Sequence, residues 1–319
     1  MVSGLTDIPG IKVGLASNLK AVTGVTVVLA EDGARAGIEV RGSAPGTRET
    51  DLLRPGQLVE EVQAIVLAGG SAFGLDAASG VVKYLEEKSC GFSVGHFTVP
   101  IVPAAVLFDL FIGDGCIRPD AAMGYQACLA ASAGPVPEGS VGAGCGAVVG
   151  KIRGMLQAVK SGQGSAALCN GYLIVAALVV VNAFGDIFDR EGSLLAGPRN
   201  PETGLMEKTA ELLLENNLTG FSGNTTLGVV ATNAGLNSTA LTKVCQLAHD
   251  GLARSIWPVH TMWDGDTIFA LSKGNVQADI NLICLMAAEV VALAVERAAL
   301  TANSLGGIPA ARDLEIKNK

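Results

Sequence analysis

The sequence predicts an α+β fold in which antiparallel sheet is covered by helices, and three observations predict it. Strand-turn-strand signals are mixed with helical stretches instead of alternating strictly with them, which disfavours a doubly wound parallel sheet. One segment, residues 172–182, is apolar without interruption from Leu173 to Val181 and carries no charge, the signature of a strand covered on both faces. The chain of 319 residues is 49% hydrophobic and 16% charged, with aromatics at only 4%, so it can bury a large core built from Val, Leu, Ile and Ala.

Taken in order, residues 25–30 read as a strand, Asp32-Gly33 as a turn and residues 36–40 as a second strand, together a hairpin. Residues 64–68 form a buried strand, and Gly69-Gly70 leads into a helix over 73–88 with apolar residues at 75, 78, 81, 82 and 85. A second helix spans 119–133, opened by Pro119-Asp120 and closed near Gly134-Pro135. A glycine-rich loop over 136–150 enters a strand. The strand over 172–182 follows, with 185–188 continuing as a hairpin. Residues 189–223, carrying Pro198, Pro201 and a polar helix-like piece over 206–217, read as an exposed linker. Order then resumes as a strand over 226–232, a helix over 238–254 and a strand over 257–263. An Asp264-Gly265-Asp266 turn, a strand over 267–272 and a closing helix over 276–301 complete the chain.

Several function classes are excluded by composition. A membrane span needs about 20 consecutive apolar residues; the longest run, Leu173 to Val181, is too short, and the other apolar stretches are broken by Pro100, Pro103 and Asp109 in one and by Glu289, Glu296 and Arg297 in another. The formal charge is −8 and no Lys/Arg cluster occurs, which argues against nucleic acid as a partner. The seven cysteines lack any Cys-x-x-Cys pair and the three histidines lack ligand spacing, so neither a metal nor a disulfide framework is expected, and no cofactor motif is complete. The first residues have no basic region or apolar signal core, so the expected location is the cytoplasm.

Each candidate site has a plain structural alternative. Residues 68–74 fit a strand-to-helix turn, because Phe73 stands where a hydrolase elbow needs Gly and no Gly-Lys-Ser/Thr follows. Gly142-Ala-Gly144-Cys-Gly-Ala147 resembles a relaxed dinucleotide fingerprint but lacks a preceding strand, so it reads as a bend lining a site. Lys151 is the sole charge in a long apolar stretch and, alone, reads as a surface or paired lysine. Asn182 ends the strongest strand: it is either a turn former or an amide aimed at an oxyanion. Asp264-Gly265-Asp266 suits a hairpin turn, or a carboxylate pair holding an ammonium group. Gly223-Asn224-Thr225-Thr226 is either a turn entering a strand or a self-cleavage site. In the second case the Thr225 hydroxyl attacks the carbonyl before it and frees an α-amino group. Such an amine ordinarily titrates at about 7.7–8.0, which suits a base at neutral pH. His96, His249 and His260 read as structural.

Together the motifs are similar to those of one family, the L-aminopeptidase/D-esterase (P1-type) N-terminal-nucleophile hydrolases, which includes β-aminopeptidases and the endo-type 6-aminohexanoate-oligomer (nylon-oligomer) hydrolase. The resemblance covers nearly the whole chain. It is carried by Leu5-Thr-Asp-Ile-Pro-Gly-Ile-Lys-Val-Gly14, Arg48-Glu-Thr-Asp-Leu-Leu53, Leu67-Ala-Gly-Gly-Ser-Ala-Phe-Gly-Leu-Asp76 and Val99-Pro-Ile-Val-Pro-Ala-Ala-Val-Leu-Phe-Asp109. Arg118-Pro-Asp120, Val141-Gly-Ala-Gly144, Val181-Asn-Ala-Phe-Gly-Asp186, Gly223-Asn-Thr-Thr226 and Asp264-Gly-Asp-Thr267 continue it in the same order.

The resemblance implies a four-layer αββα sandwich formed by one domain over 1–319, cut between Asn224 and Thr225 into a 1–224 and a 225–319 segment that remain associated. It implies assembly into homo-oligomers, often tetramers of the αβ unit, and a small amide or peptide substrate. By position, Thr225 matches the nucleophile and its own base, Asn182 the oxyanion support, Lys151 a lysine beside the nucleophile, and Asp264 and Asp266 the pair that holds an amine. Gly144 and Phe108 fall in the substrate pocket. Phe108 stands where some members carry a tyrosine, which removes one hydroxyl donor. The Asp-Asp pair and the threonine nucleophile resemble the nylon-oligomer branch. Two rival expectations are an ornithine-acetyltransferase-like acyltransferase and an uncleaved binding protein.

Overall fold

A computed structural model describes residues 4–215 and 223–314. Among the described residues, nine strands form one hydrogen-bonded path that is folded double, and three apolar cores divide it into four layers. The strands are β1 (Lys12–Asn18), β2 (Thr23–Val40), β3 (Thr47–Arg48), β4 (Glu61–Ala68), β5 (Ala104–Val106), β6 (Gln163–Asn170), β7 (Leu173–Asn182), β8 (Thr225–Ala234) and β9 (Thr267–Val276). The path runs β6-β7-β8-β9-β2-β4-β5-β3, with β1 also on β2. The ladders are antiparallel except β8 with β9 and β4 with β5, which are parallel.

The fold doubles at β2. Its first half pairs with β1 and β4, and its second half, from Arg35 to Val40, pairs with β9. Between the halves, Leu29 lies opposite Ala64 and Ala34 opposite Val62, so four residues of β2 face a single residue of β4. This bulge bends and twists the strand from one sheet into the other. Asp32-Gly33 sits in the bulge, with Gly33 at φ +87°. The expected hairpin is therefore one continuous strand. The Asp-Gly pair supplies the positive φ that a turn would need, but here it is used for a bulge.

Alternation along the strands then assigns the layers. Val175, Ala177, Val179 and Val181 of β7 join the core under α4 (Ser238–Ser255) and α5 (Ile280–Leu300). The intervening Ala176, Leu178 and Val180 meet Val28, Ile65 and Leu67 across the sheet-sheet core. Val25, Val27, Leu29, Ala64 and Val66 face the third core, under α1 (Ala77–Glu87) and α2 (Ala121–Leu129). The order is helices, sheet, sheet, helices, which is the αββα architecture. No described helix is long and apolar enough to cross a membrane.

α1 and α2 cross closely because Gly80 and Gly124 lie at the contact: a Cβ on Gly80 would lie 1.7 Å from the Ala121 carbonyl oxygen, and one on Gly124 2.0 Å from that of Ala77. Both obstacles are backbone, so neither can swing aside. Gly80→Ala is expected to destabilise the protein by roughly 3 kcal/mol, the upper range for overpacking a tight core. An unchanged thermal midpoint would show that the helices part freely.

The remaining differences from the sequence expectations are local. The first helix starts at Ala77, after a 3-10 stretch over Ser71–Asp76. The second spans Ala121–Leu129 with Asp120 accepting from the Met123 N–H as N-cap. After Asn182 the chain leaves the main sheet: Asp186–Phe188 pairs with Leu194–Ala196 and with Ile256–Trp257, not back onto β7. Residues 258–263 are loop, because Pro258 has no N–H to give a ladder. The presumed linker is packed over much of its described length. Ala196 and Thr209 are fully buried, Leu212 is 5% exposed, and Asp186 accepts from the N–H and hydroxyl of Thr209 at 2.6 and 2.5 Å. Burial there raises the Asp186 pKa to about 7. The helix-like piece is a short helix, α3 (Thr209–Leu214), and its expected end at 216–217 lies outside the described residues.

Candidate active site

The junction between β7 and β8 gathers the residues that the sequence scatters over more than a hundred positions. In the antiparallel register, the last residue of β7, Asn182, faces the first of β8, Thr225. Both are buried, at 0% and 3% exposure. The Asn182 side chain is held on two sides: its Oδ1 accepts from the Val148 N–H at 3.1 Å and from Lys151 Nζ at 2.8 Å, and its Nδ2 donates to the Phe108 carbonyl at 3.0 Å. It is no turn residue, since the strand delivers it into a buried polar cluster.

Lys151 is likewise not a surface lysine. It is 1% exposed, and its ammonium also donates to the Asn182 carbonyl at 2.8 Å and approaches the Gly223 carbonyl at 3.5 Å. Burial drives its pKa down to about 7, opposed by the charges of Asp264, Asp109 and Asp266. The chain reaches Lys151 through the 142–150 loop, which a second buried lysine fastens. Lys160 Nζ donates to the carbonyls of Gly144, Ala147 and Ser161 at 3.3, 2.6 and 2.9 Å. Gly144 thus belongs to the support of the loop. Gly146, two residues on, lines the narrow cleft with Phe108, Phe111 and Lys151.

Asn224 and Thr225 are clamped from the opposite side by the 260–266 loop. The Asn224 N–H donates to the Trp263 carbonyl at 3.2 Å, and the Gly265 N–H donates to the Asn224 carbonyl at 2.9 Å. The Thr225 hydroxyl is in hydrogen-bond contact with that same Asn224 carbonyl oxygen. Gly223 has φ +115°, and a Cβ there would lie 2.9 Å from the Phe108 ring. Position 223 therefore has both a glycine-favouring backbone and no room for a side chain.

The two aspartates flank Gly265 and are saturated with donors. Asp264 accepts from Phe184 N–H at 3.2 Å and from the N–H and hydroxyl of Thr261 at 3.0 and 2.5 Å. Asp266 accepts from Thr226 N–H at 2.6 Å and from the N–H and Nδ1 of His260 at 3.1 and 2.7 Å. Burial and the neighbouring Asp266 raise the pKa of Asp264. No hairpin forms here, because residues 258–263, expected as its first strand, are loop. The Asp-Gly-Asp loop instead reaches the start of β8.

Sequence reasoning missed His260, Lys160 and the role of Asp109. Asp109 is 4% exposed and accepts from Thr23 Oγ1 and Gly70 N–H, both at 2.7 Å, which fixes the residue next to Phe108. His260 lies six residues before Asp266, a spacing that carries no motif. It holds Asp266, which in turn holds the N–H next to Thr225. His260 has φ +56°, a region asparagine tolerates, and an asparagine amide can replace the Nδ1–H donor. His260→Asn is expected to keep turnover within about threefold, while His260→Leu lowers kcat by about 10–100-fold with KM little changed, on the scale of a lost buried charge-assisted hydrogen bond. Equal activity of the two variants would remove the residue from this role.

Comparison with known proteins gives the family and the fold. Peptidase family S58 matches residues 3–312. An uncharacterized aminopeptidase of Mycobacterium tuberculosis (strain H37Rv) is 40% identical over 98% of this chain and 98% of its own length. The 6-aminohexanoate-oligomer endohydrolase of Kocuria sp. (strain KY2) is 33% identical over 85% of this chain and 75% of its own. Among solved structures, the L-aminopeptidase D-Ala-esterase/amidase of Ochrobactrum anthropi, described as a variant among the Ntn hydrolase fold, superposes with a TM-score of 0.73 at 19% identity, over 96% of this chain and 88% of that one. With a family match over nearly its full length, the chain belongs to peptidase family S58 and is a hydrolase of amide bonds.

Proposed function

We propose that the protein is a self-cleaving hydrolase whose nucleophile is Thr225, freed as a new amino terminus by scission after Asn224. The observation that carries this reading is the contact of the Thr225 hydroxyl with the carbonyl of its own preceding residue, in a buried site that also holds Asn182, Lys151, Asp264 and Asp266. In the first step Thr225 Oγ1 bonds to the Asn224 carbonyl carbon, the C–N bond breaks, and the hydroxyl proton goes to the departing Thr225 nitrogen. Water then hydrolyses the ester, leaving an Asn224 carboxylate and a free Thr225 amine beside its hydroxyl.

In turnover that amine takes the hydroxyl proton while Oγ1 attacks the substrate carbonyl. The same proton passes to the leaving amine, and water releases the acyl group from Thr225. Asn182 and Lys151 supply donors to the developing oxyanion, and the buried Asp264/Asp266 pair favours a cationic amine nearby. Phe108 offers no hydroxyl, so these two donors carry that task.

Short peptides with a free amine, β-peptides and linear amide oligomers fit such a site. The name of the Kocuria relative and the Asp264/Asp266 pair favour 6-aminohexanoate-type oligomers among them. The test is intact mass and N-terminal sequencing of purified protein, followed by parallel assays on amino-acid p-nitroanilides, β-dipeptides and 6-aminohexanoate oligomers. Two pieces meeting between 224 and 225, with hydrolysis of at least one class, are expected. A single uncut polypeptide that hydrolyses these substrates would overturn the N-terminal nucleophile.

A further inference from the structure

We infer that self-cleavage and turnover draw on different oxyanion donors: the main-chain N–H of Gly265 serves the first, and the side chains of Asn182 and Lys151 serve the second. This rests on Thr225 being the nucleophile of both reactions.

When Thr225 attacks, negative charge collects on the Asn224 oxygen, and that atom is already held by Gly265 N–H at 2.9 Å. The scissile residue is further fixed by its own N–H on the Trp263 carbonyl at 3.2 Å, so donor and acceptor are registered before any bond changes. Asn182 Nδ2 and Lys151 Nζ are directed one peptide upstream, at the Gly223 carbonyl, at 3.4 and 3.5 Å. In the uncut chain the 223–224 segment therefore lies across the donors meant for substrate.

Geometry explains why one seat does not serve both reactions. In self-cleavage the reacting carbon is bonded to the Thr225 nitrogen, which leaves. In turnover that nitrogen is the base, so the substrate carbon has to approach Oγ1 from a side the amine does not occupy. Scission detaches Gly223 and Asn224 from Thr225. Their withdrawal frees Asn182 and Lys151 for an incoming carbonyl.

Gly265 also has to be glycine. A Cβ there would lie 2.6 Å from the Ala44 carbonyl oxygen and 2.7 Å from Thr225 Oγ1. The residue thus combines a donor to one reacting atom with clearance for the other.

The experiment follows freshly synthesised full-length chain by intact mass, then assays the matured protein on whichever amide the wild type hydrolyses. Asn182→Ala is expected to split with a half-time within about threefold of wild type, but to lose about 10²–10³ in kcat, the usual cost of one oxyanion donor. Gly265→Pro, which deletes the N–H, is expected to split at least about 10²-fold more slowly than Gly265→Ala, which brings in the same Cβ but keeps the donor. Thermal melting reports whether each variant is folded. Should the proline variant not fold, the Asn182→Ala arm decides alone. An Asn182→Ala chain that is folded but stays uncut, or a folded Gly265→Pro chain that splits as fast as Gly265→Ala, overturns the division of donors. Wild-type protein that never splits would instead sink the nucleophile assignment itself, so the two failures are distinguishable.

Discussion

Thr225→Ala is expected to yield one species of 32.4 kDa under denaturing conditions and to lose turnover by a factor on the order of 10⁶, the scale of removing a catalytic nucleophile. The residue is small and buried at the start of β8, and its backbone pairs with Asn182 regardless of side chain. Alanine keeps that pairing and deletes only the hydroxyl and one methyl. The fold should therefore survive, with a stability change of about 1 kcal/mol. Thr225→Ser separates chemistry from packing: it keeps the hydroxyl and should still split. Alanine protein that splits normally would move the nucleophile elsewhere.

Lys151→Met carries the second largest effect, and its sign depends on pH. The folded pKa of about 7 lies below the ordinary lysine value of 10.5. Between those two values the unfolded chain binds more protons than the native one, so wild-type stability rises with pH from about 7 to 10.5 and the cost of burying the cation is fully present below 7. Methionine has no such cost. The variant should gain on the wild type, by a few kcal/mol at most, as pH falls through that window. Its kcat should fall by about 10²–10³ where the wild-type lysine is charged. The ammonium is lost as pH rises through about 7, so the wild-type rate should decline on that limb, and the variant should lack the decline. Thermal melts and kcat measured from pH 5.5 to 9.5 check both. Parallel pH profiles would deny the lysine its charged role.

Legibility of this protein in its sequence varied by element for physical reasons. Residues 172–182 announced themselves, because a long uncharged apolar run leaves few alternatives. Asp32-Gly33 misled, because the positive φ that glycine offers serves a bulge as well as a hairpin, and only the ladder partners on β4 and β9 decide between them. The polar stretch after Asp189 hid its packing, since Thr209 and Asp186 bury by satisfying each other. Within the site, Asn182, Lys151 and Thr225 each had an equally good plain reading alone, and only their shared family motifs joined them. The β7–β8 register supplies the physical reason they meet. Lys160 and His260 were invisible, because a lysine held by three carbonyls and a histidine held by one carboxylate leave no spacing pattern.

The double use of β2 would shape the life of the molecule after the proposed scission. A cut after Asn224 would leave β8 and β9 in one polypeptide, with β8 laddered to β7 and β9 to β2 of the other, so the break falls at the edge of a weave and not between two bodies. Dissociation would then require unfolding both pieces, and reassembly would become bimolecular. The protein would mature from a chain that refolds by itself into one whose recovery from denaturation depends on its own concentration.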